Sequence, residues 1–450
     1  MAQPTELDAL YAFLLAAAVT ALLTPVTMRI ARRVGAIDEP RERGLSHRPT
    51  PLLGGLAVFC GVLLAGLIWL PAGYGSKAPQ LWHGVLLGAG IIALVGALDD
   101  RFDLHPAMKL AGQLIAAVVV VHYGVAVKVI TLPFVGILSF PNAGVTNAGP
   151  VLTVIALVGM MNVVNFSDGV DGLAAGVCAI IAVAMAVIAF DLDRQQPGVL
   201  AAITAGAALG FLVFNFPPAS SFMGDCGANL LGLLMGVITV EAAVKTTAVL
   251  SFVLPLILLA VPFLDTTFVV LKRLKYKQAI YRPDNEHFHH RMARIGFSSR
   301  RTIAYLYTWT LMLAGLALAL RFVPYSDHKG HLHTGWALVM LAIGLLVAAA
   351  SVYLVYVLEI LKFRRLDAMR LRRLRPEASP AEIELDVAKD LETGEFHAVS
   401  NTGHPEVQVG DDAVVGGAEQ RVGKREVDKD GVRAERERGA DQAPIAADGR

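Results

Sequence analysis

Charge is scarce in this chain. Only 17% of its 450 residues are Asp, Glu, Lys or Arg, where a soluble domain carries about a quarter. Windows 52–70 and 249–264 contain none at all. Cysteine is scarcer still. Cys60, Cys178 and Cys226 are scattered and form no CxxC pair, which argues against both a disulfide framework and a thiolate metal site. The first 25 residues lack a basic leading region and a clear cleavage site, so their apolar run reads as a retained helix rather than a removable signal. The net charge of +1 says little. Its distribution says more.

Apolar residues are abundant, at 55%. A bilayer core takes roughly 20 of them per helix, and the chain offers that many times over. The expected fold is an all-α integral membrane bundle of about eleven helices, at 8–30, 52–71, 81–98, 106–123, 149–163, 172–190, 198–214, 227–243, 248–271, 302–320 and 334–361. Before the fifth, "GVAVKVITLPFVGILSF" alternates apolar and small residues and reads as a hairpin at the outer surface.

Lys and Arg set the orientation. They crowd the connections after the first helix (Arg29 to Arg48), after the ninth (Lys272 to Arg301) and after the last (Lys362 to Arg375). Connections of the other parity hold only Lys77, Lys128, Arg194, Lys245, and Arg321 with Lys329. The positive-inside rule then puts the N-terminus outside and the C-terminus in the cytoplasm. Residues 1–365 read as the membrane-embedded domain. Residues 366–450 mix Glu, Asp, Arg, Pro and Gly and read as a largely disordered cytoplasmic tail.

With this parity the acid-rich clusters between helices, and the His287–His290 loop, fall on one face, although His328, His331 and His333 cluster in an outward connection. Asp99 and Asp100 end the third helix, where two acids oppose the helix dipole. They mark either the water interface or a pair of hard oxygen ligands of the kind Mg²⁺ accepts. "NVVNFSDGVDGLAAG" (162–176) sets Asp168 and Asp171 at the approach to the sixth helix, after Asn162 and Asn165. An N-cap accounts for one of these acids but not both. A helix start rich in glycine also suits a phosphate. "FMGDCGAN" repeats the arrangement at the eighth helix, with Asp225 between two glycines. His287, His289 and His290 lie in a basic loop and fit donors to phosphate or acid–base groups; no Cys or suitably spaced acid completes a zinc site beside them. Asp265, inside the ninth helix, is an intramembrane acid with either a functional or a structural partner.

Together "DDRFDL", "NVVNFSDGVDGLAAG", "NFPPASSFMGDCGAN", "VPFLDTTFVVLKR" and "HFHH" after "RPDNE", in this order over about residues 30–300, resemble the polyprenyl-phosphate N-acetylhexosamine-1-phosphate transferases. The resemblance implies a bacterial plasma-membrane enzyme with its active site facing the cytoplasm. Such an enzyme moves an N-acetylhexosamine 1-phosphate from a UDP-sugar to polyprenyl phosphate, releases UMP, and starts a cell-envelope glycan. It implies Mg²⁺, or Mn²⁺, on Asp225, and assigns Asp99 and Asp100 to the lipid phosphate and the diphosphate. Asn162, Asn165, Asp168, Asp171 and Asn215 would line the nucleotide site, with Phe222 stacked on uracil and the three histidines meeting the diphosphate. "HxHH" is similar to the branch using UDP-N-acetylglucosamine; the branch using UDP-MurNAc-pentapeptide has three adjacent His. Leu45 stands where the family usually has a basic residue, and Ala228 where it usually has Ser. The expected partners are a UDP-sugar, polyprenyl phosphate, the bilayer and a second copy in a homodimer, with no nucleic acid. The expected step is direct attack by the lipid phosphate on the sugar-linked phosphorus; the sequence leaves a two-step route through an aspartyl-phosphate open.

A secondary transporter is the alternative from another class, although its coupling acids belong near the midplane on broken helices. Here only Asp265 is intramembrane. A phosphatidyl-alcohol transferase would carry DGxxAR, and "DGLAAG" has no Arg.

Overall fold

A computed structural model describes residues 4–39, 49–70, 78–132, 136–139, 148–243, 257–260, 263–264, 298–324 and 333–356, with isolated positions 371, 379, 381, 382 and 385. These include ten helices: α1 (Glu6–Val34), α2 (Gly54–Trp69), α3 (Ala78–Phe102), α4 (Pro106–His122), α5 (Ala148–Ser167), α6 (Leu173–Asp191), α7 (Gln195–Asn215), α8 (Gly224–Ile238), α9 (Ser299–Phe322) and α10 (Thr334–Tyr356). Eight are long and apolar enough to cross a membrane, and α2 and α4 are shorter apolar helices. The protein is a helical, multi-span membrane protein. Ten of the eleven expected helices have a counterpart; the ninth, 248–271, falls largely outside the described residues, as do Asp265, Leu45, the three loop histidines and nearly all of 366–450.

Local chemistry starts and joins these helices. Thr5 and Asp8 form a reciprocal capping box at α1: the Asp8 carboxylate accepts the Thr5 N–H at 2.7 Å, and Thr5 Oγ1 accepts the Asp8 N–H at 3.3 Å. Two antiparallel strand pairs also occur among the described residues. Ile37–Asp38 (β1) pairs with Thr50–Pro51 (β2), and Val129–Leu132 (β3) with Gly136–Ser139 (β4). The second is the hairpin expected from the alternation before the fifth helix.

Packing follows the rule for lipid surroundings, where small residues let backbones approach. The buried stripe of α1 is Ala9, Ala12, Ala16, Thr20, Thr24, Thr27 and Ala31, and α7 lies along it. A Cβ on Gly206 or Gly210 would stand 2.2 or 2.3 Å from the carbonyl oxygens of Phe13 and Ala17. Helix α8 is the central pillar, packed on α2, α3, α5 and α7. In its span 89% of the apolar window is covered by protein, against 11% in α10, so α10 leaves most of its apolar surface for lipid.

Successive helices from α1 to α8 run in opposite directions, whereas α9 runs the same way as α8. The C-terminal ends of α1, α3, α5 and α7 therefore meet the N-terminal ends of α2, α4, α6 and α8 at one end of the bundle. Asp99, Asp100, Asp168, Asp171 and Asp225 all lie there.

Candidate active site

A cavity of about 700 Å³ opens at this end. Among the described residues eight carboxylates line it, against two cations, Arg101 and Lys109. At its floor three helices meet on Asp225. Lys109, from α4, puts its ammonium 2.6 Å from Asp99 Oδ2 and 3.2 Å from Asp225 Oδ2. Asn165, from α5, donates from Nδ2 to Asp225 Oδ1 at 2.9 Å. The other oxygen of Asp99 accepts the Leu104 N–H at 2.8 Å, which fixes the turn between α3 and α4.

Asp100 does something different from its neighbour. Its two carboxylate oxygens accept the backbone N–H groups of Asp225 and Cys226, at 2.7 and 3.2 Å. The first N–H groups of a helix have no partner within it, and here a carboxylate from another helix supplies one. Close approach is allowed because Gly224 has no side chain: a Cβ there would sit 2.3 Å from an Asp100 oxygen, and its φ of 67° suits glycine. The α8 N-terminus is thus engaged by Asp100, which corrects the expectation that these N–H groups face a phosphate.

Neither Asp168 nor Asp171 is an N-cap. Helix α5 runs to Ser167, α6 begins at Leu173, and Gly172 occupies the cap position. Asp171 accepts the Ala219 N–H at 2.9 Å, tying the turn 168–172 to the loop after α7. Asn215, 2% exposed, makes the second tie. Its Oδ1 accepts the Gly172 N–H at 2.8 Å and its Nδ2 donates to the Ser221 carbonyl at 2.9 Å. Helix α9 adds two more: Arg300 donates to the Pro217 carbonyl at 3.0 Å, and the Tyr307 hydroxyl donates to the Gly172 carbonyl. Asp168, half-buried in the cavity wall, is pushed up to about 7 by burial first and then by the charges of Asp225 and Asp171.

Phe222 is half-buried on the cavity wall. It is held by the backbone on both sides, through its N–H to the Pro51 carbonyl (2.9 Å) and its carbonyl from the Gly54 N–H (3.0 Å). Gly55 N–H reaches the Met223 carbonyl at 2.9 Å, so the start of α2 clasps the segment leading into α8.

Of the residues expected at the site, Asp99, Asp100, Asn165, Asp168, Asp171, Asn215, Phe222 and Asp225 line this one cavity. Asn162 does not. It lies one turn behind Asn165, bonded to Gln113. His287, His289 and His290 lie outside the described residues. Sequence reasoning missed Lys109 altogether, although a lone cation in "HPAMKLAGQ" on an otherwise apolar helix was a usable signal.

The donor set suits Mg²⁺, which is held by one or two carboxylates together with phosphate oxygens and water rather than by a full protein cage. Asp225 and Asp99 already converge on one cation, the Lys109 ammonium. No cluster of three or more His, Cys, Asp or Glu arranged for a metal occurs among the described residues.

The chain's sequence matches the family described as glycosyl transferase family 4 over residues 82–243. It is 33% identical over 316 residues to the probable undecaprenyl-phosphate N-acetylglucosaminyl 1-phosphate transferase of Bacillus subtilis (strain 168), covering 69% of this chain and 84% of that one. It is 36% identical over 340 residues to the decaprenyl-phosphate N-acetylglucosaminephosphotransferase of Mycolicibacterium smegmatis (strain ATCC 700084 / mc(2)155), covering 69% and 82%. The undecaprenyl-phosphate alpha-N-acetylglucosaminyl 1-phosphate transferase of Escherichia coli (strain K12) is 26% identical over 314 residues, covering 68% and 83%. The matched segment includes α4 to α8 and all but the first turn of α3, which carry most of the cavity wall, and the likeness to these relatives runs through most of both chains. This chain belongs to glycosyl transferase family 4.

Proposed function

We propose that this protein transfers N-acetylglucosamine 1-phosphate from its UDP-sugar to polyprenyl phosphate and releases UMP, initiating a cell-envelope glycan. The observation that carries the reading is the Asp99–Lys109–Asp225 cluster, set at the floor of an acidic cavity where membrane-spanning helices end. A lipid acceptor keeps its chain in the bilayer and presents its phosphate at such helix ends, while a nucleotide sugar comes from water. The names of the relatives point to the same transferred group and acceptor.

Phosphoryl transfer depends mainly on positioning and charge neutralisation. Eight carboxylates and two cations line the cavity among the described residues, and a cation accompanying the diphosphate offsets repulsion from those acids. Asp225, with Asp99 beside it, would hold Mg²⁺ or Mn²⁺, which when bound supplies charge neutralisation at the diphosphate. Lys109 shares that task from the protein side. Asp99 orients the acceptor phosphate. Asp168, titrating near neutrality, gives or takes a hydrogen bond at a phosphate oxygen. Phe222 stacks on the uracil, Asn165 keeps Asp225 aimed, and His287, His289 and His290 reach the diphosphate. The acceptor phosphate oxygen attacks the sugar-linked phosphorus, a new P–O bond forms, and the bond to the UMP oxygen breaks. The eleven-helix arrangement with the N-terminus outside belongs to this reading, since it turns the cavity toward the cytoplasm.

The test is UMP release by purified protein given UDP-N-acetylglucosamine, with and without polyprenyl phosphate and Mg²⁺. Release that needs both supports the reading. Turnover only with UDP-MurNAc-pentapeptide moves the donor, and release with no UDP-sugar at all overturns the reading.

A further inference from the structure

Behind the ionic cluster lies a second polar layer that touches no part of the cavity. Four residues beyond Lys109 on α4 is Gln113; four beyond Asp225 on α8 is Asn229; three before Asn165 on α5 is Asn162. Such spacings place each pair on one helix face, a turn apart. Gln113 Nε2 donates to Asn229 Oδ1 at 2.8 Å, Asn162 Nδ2 donates to Gln113 Oε1 at 2.9 Å, and Asn229 Nδ2 donates to the Asp225 carbonyl at 2.9 Å. Asn162 Nδ2 also reaches the Val158 carbonyl at 2.8 Å. Gln113 and Asn229 are 5% and 6% exposed, and none of the three amides lines the cavity.

The same three helices thus meet twice, once through charges at the cavity floor and once through neutral amides a turn deeper. Amides in such a position are costly unless satisfied, so the paired arrangement is strongly preferred over its neighbours. Slipping α8 by one residue would turn Asp225 by about 100° around the helix axis. It would also separate Asn229 from Gln113. We propose that Gln113, Asn162 and Asn229 form a positioning layer that fixes the rotation of α4, α5 and α8 and thereby holds Lys109 and Asn165 on Asp225. The inference rests on reading Asp225 as the metal-holding carboxylate of the transferase. Simple helix glue would affect stability alone, whereas a positioning layer acts on kcat and on cation binding.

The experiment uses the full-length protein in detergent, with Gln113→Met and Asn229→Leu, and Mn²⁺ binding followed by its electron paramagnetic resonance signal. Misplacement by a fraction of an ångström costs rate rather than binding. Gln113→Met is therefore expected to lower kcat for UMP release by about tenfold or more, with KM for the UDP-sugar within about twofold of wild type. Mn²⁺ affinity should weaken by about tenfold, the scale of changes one shell out from a metal, in protein that is still fully folded at the assay temperature, although the unpaired Asn229 Oδ1 lowers the melting temperature. Asn229→Leu should do the same. If Gln113→Met does not fold, Asn229→Asp carries the test, because it keeps the acceptor for Gln113 and loses the donor to the Asp225 carbonyl. Wild-type kcat and Mn²⁺ affinity in a folded variant overturn the inference, as does a loss of activity that follows the folded fraction with Mn²⁺ affinity unchanged. Wild-type protein that binds Mn²⁺ but releases no UMP from any UDP-sugar defeats the transferase reading. The Mn²⁺ affinities of the variants then decide for or against the positioning layer by themselves.

Discussion

Asp100 accepts the backbone N–H of Asp225 at 2.7 Å. Two acids that look interchangeable in "DDRFDL" line the same cavity but have unlike partners: Asp99 meets the Lys109 ammonium, while Asp100 accepts the first N–H groups of α8. The neutral amide in Asp100→Asn can offer only one acceptor where the carboxylate offers two, so one N–H of α8 goes without. Loss of a capping oxygen costs about 0.5–2 kcal/mol, so Asp100→Asn should lower the melting temperature. Asp225→Asn removes negative charge from a crowded acidic floor and should leave the melting temperature unchanged or higher while abolishing UMP release. Thermal unfolding and turnover measured on both variants check the contrast; equal melting temperatures would remove the capping role.

Lys109 neutralises two carboxylates that would otherwise face each other. Lys109→Met deletes that charge and keeps the apolar stem. In a site built on charge compensation, loss of one such group costs about 10²–10³-fold in kcat, and that is the expected fall in UMP release. Lys109→Arg, which keeps the charge, should recover part of it. Steady-state rates at saturating UDP-sugar decide the matter, and a Lys109→Met enzyme within a few-fold of wild type would dismiss Lys109 from the reaction.

Sequence patterns revealed the helices well, because an apolar run of spanning length has few other fates. They also located the acidic seams, since acids and glycines stand out against apolar surroundings. They did not reveal which acid serves structure. Asp100 and Asp99 are adjacent, and only the packing of α3 on α8 sends one to backbone N–H groups and the other to a lysine. Asn162 and Asn165 present the same difficulty. Both belong to "NVVNFSD", yet one helical turn separates a group that touches the cavity from one that anchors a neighbouring helix. Lys109 and Gln113 were overlooked for a related reason. A single polar residue per turn barely changes the hydropathy of α4, and its meaning comes from Asp225, more than a hundred residues away.

The half-buried Asp168 makes the stability of the metal-free protein depend on pH. Its folded value, near 7, lies above the ordinary 3.8. Below about pH 4 the carboxyl is protonated in both states and the folded protein is not penalised. Between the two values the unfolded chain has lost a proton that the folded protein keeps, so stability falls as pH rises, and the loss is complete above about pH 7. Metal-free protein should therefore melt lower at pH 8 than at pH 5.5, and Asp168→Asn should flatten that difference while lowering turnover. Melting curves at the two pH values test this; an equal slope in the variant would place the pH dependence elsewhere.

Asn215 joins the two loops that form the cavity wall proposed for the nucleotide, through Gly172 on one side and Ser221 on the other. Both ends of its amide are used and it is almost fully covered, so Asn215→Ala leaves a buried donor and a buried acceptor without partners. Each such loss costs about 1–3 kcal/mol, and a clear drop in melting temperature is expected. The effect on activity should be distinct from that at Lys109. Freed from Asn215, the turn 168–172 and the segment around Phe222 lose their register, and a looser nucleotide wall weakens ground-state binding as well as the transition state. KM for the UDP-sugar should therefore rise by about tenfold, the loss carried by one or two misplaced contacts, with kcat falling less. Asn215→Asp keeps the acceptor for the Gly172 N–H but turns a second oxygen toward the Ser221 carbonyl. It should lie between alanine and wild type in KM only if the Gly172 bond is the more important of the two. An alanine variant with unchanged KM would mean that Tyr307 and Arg300, reaching the same loops from α9, hold the wall without it.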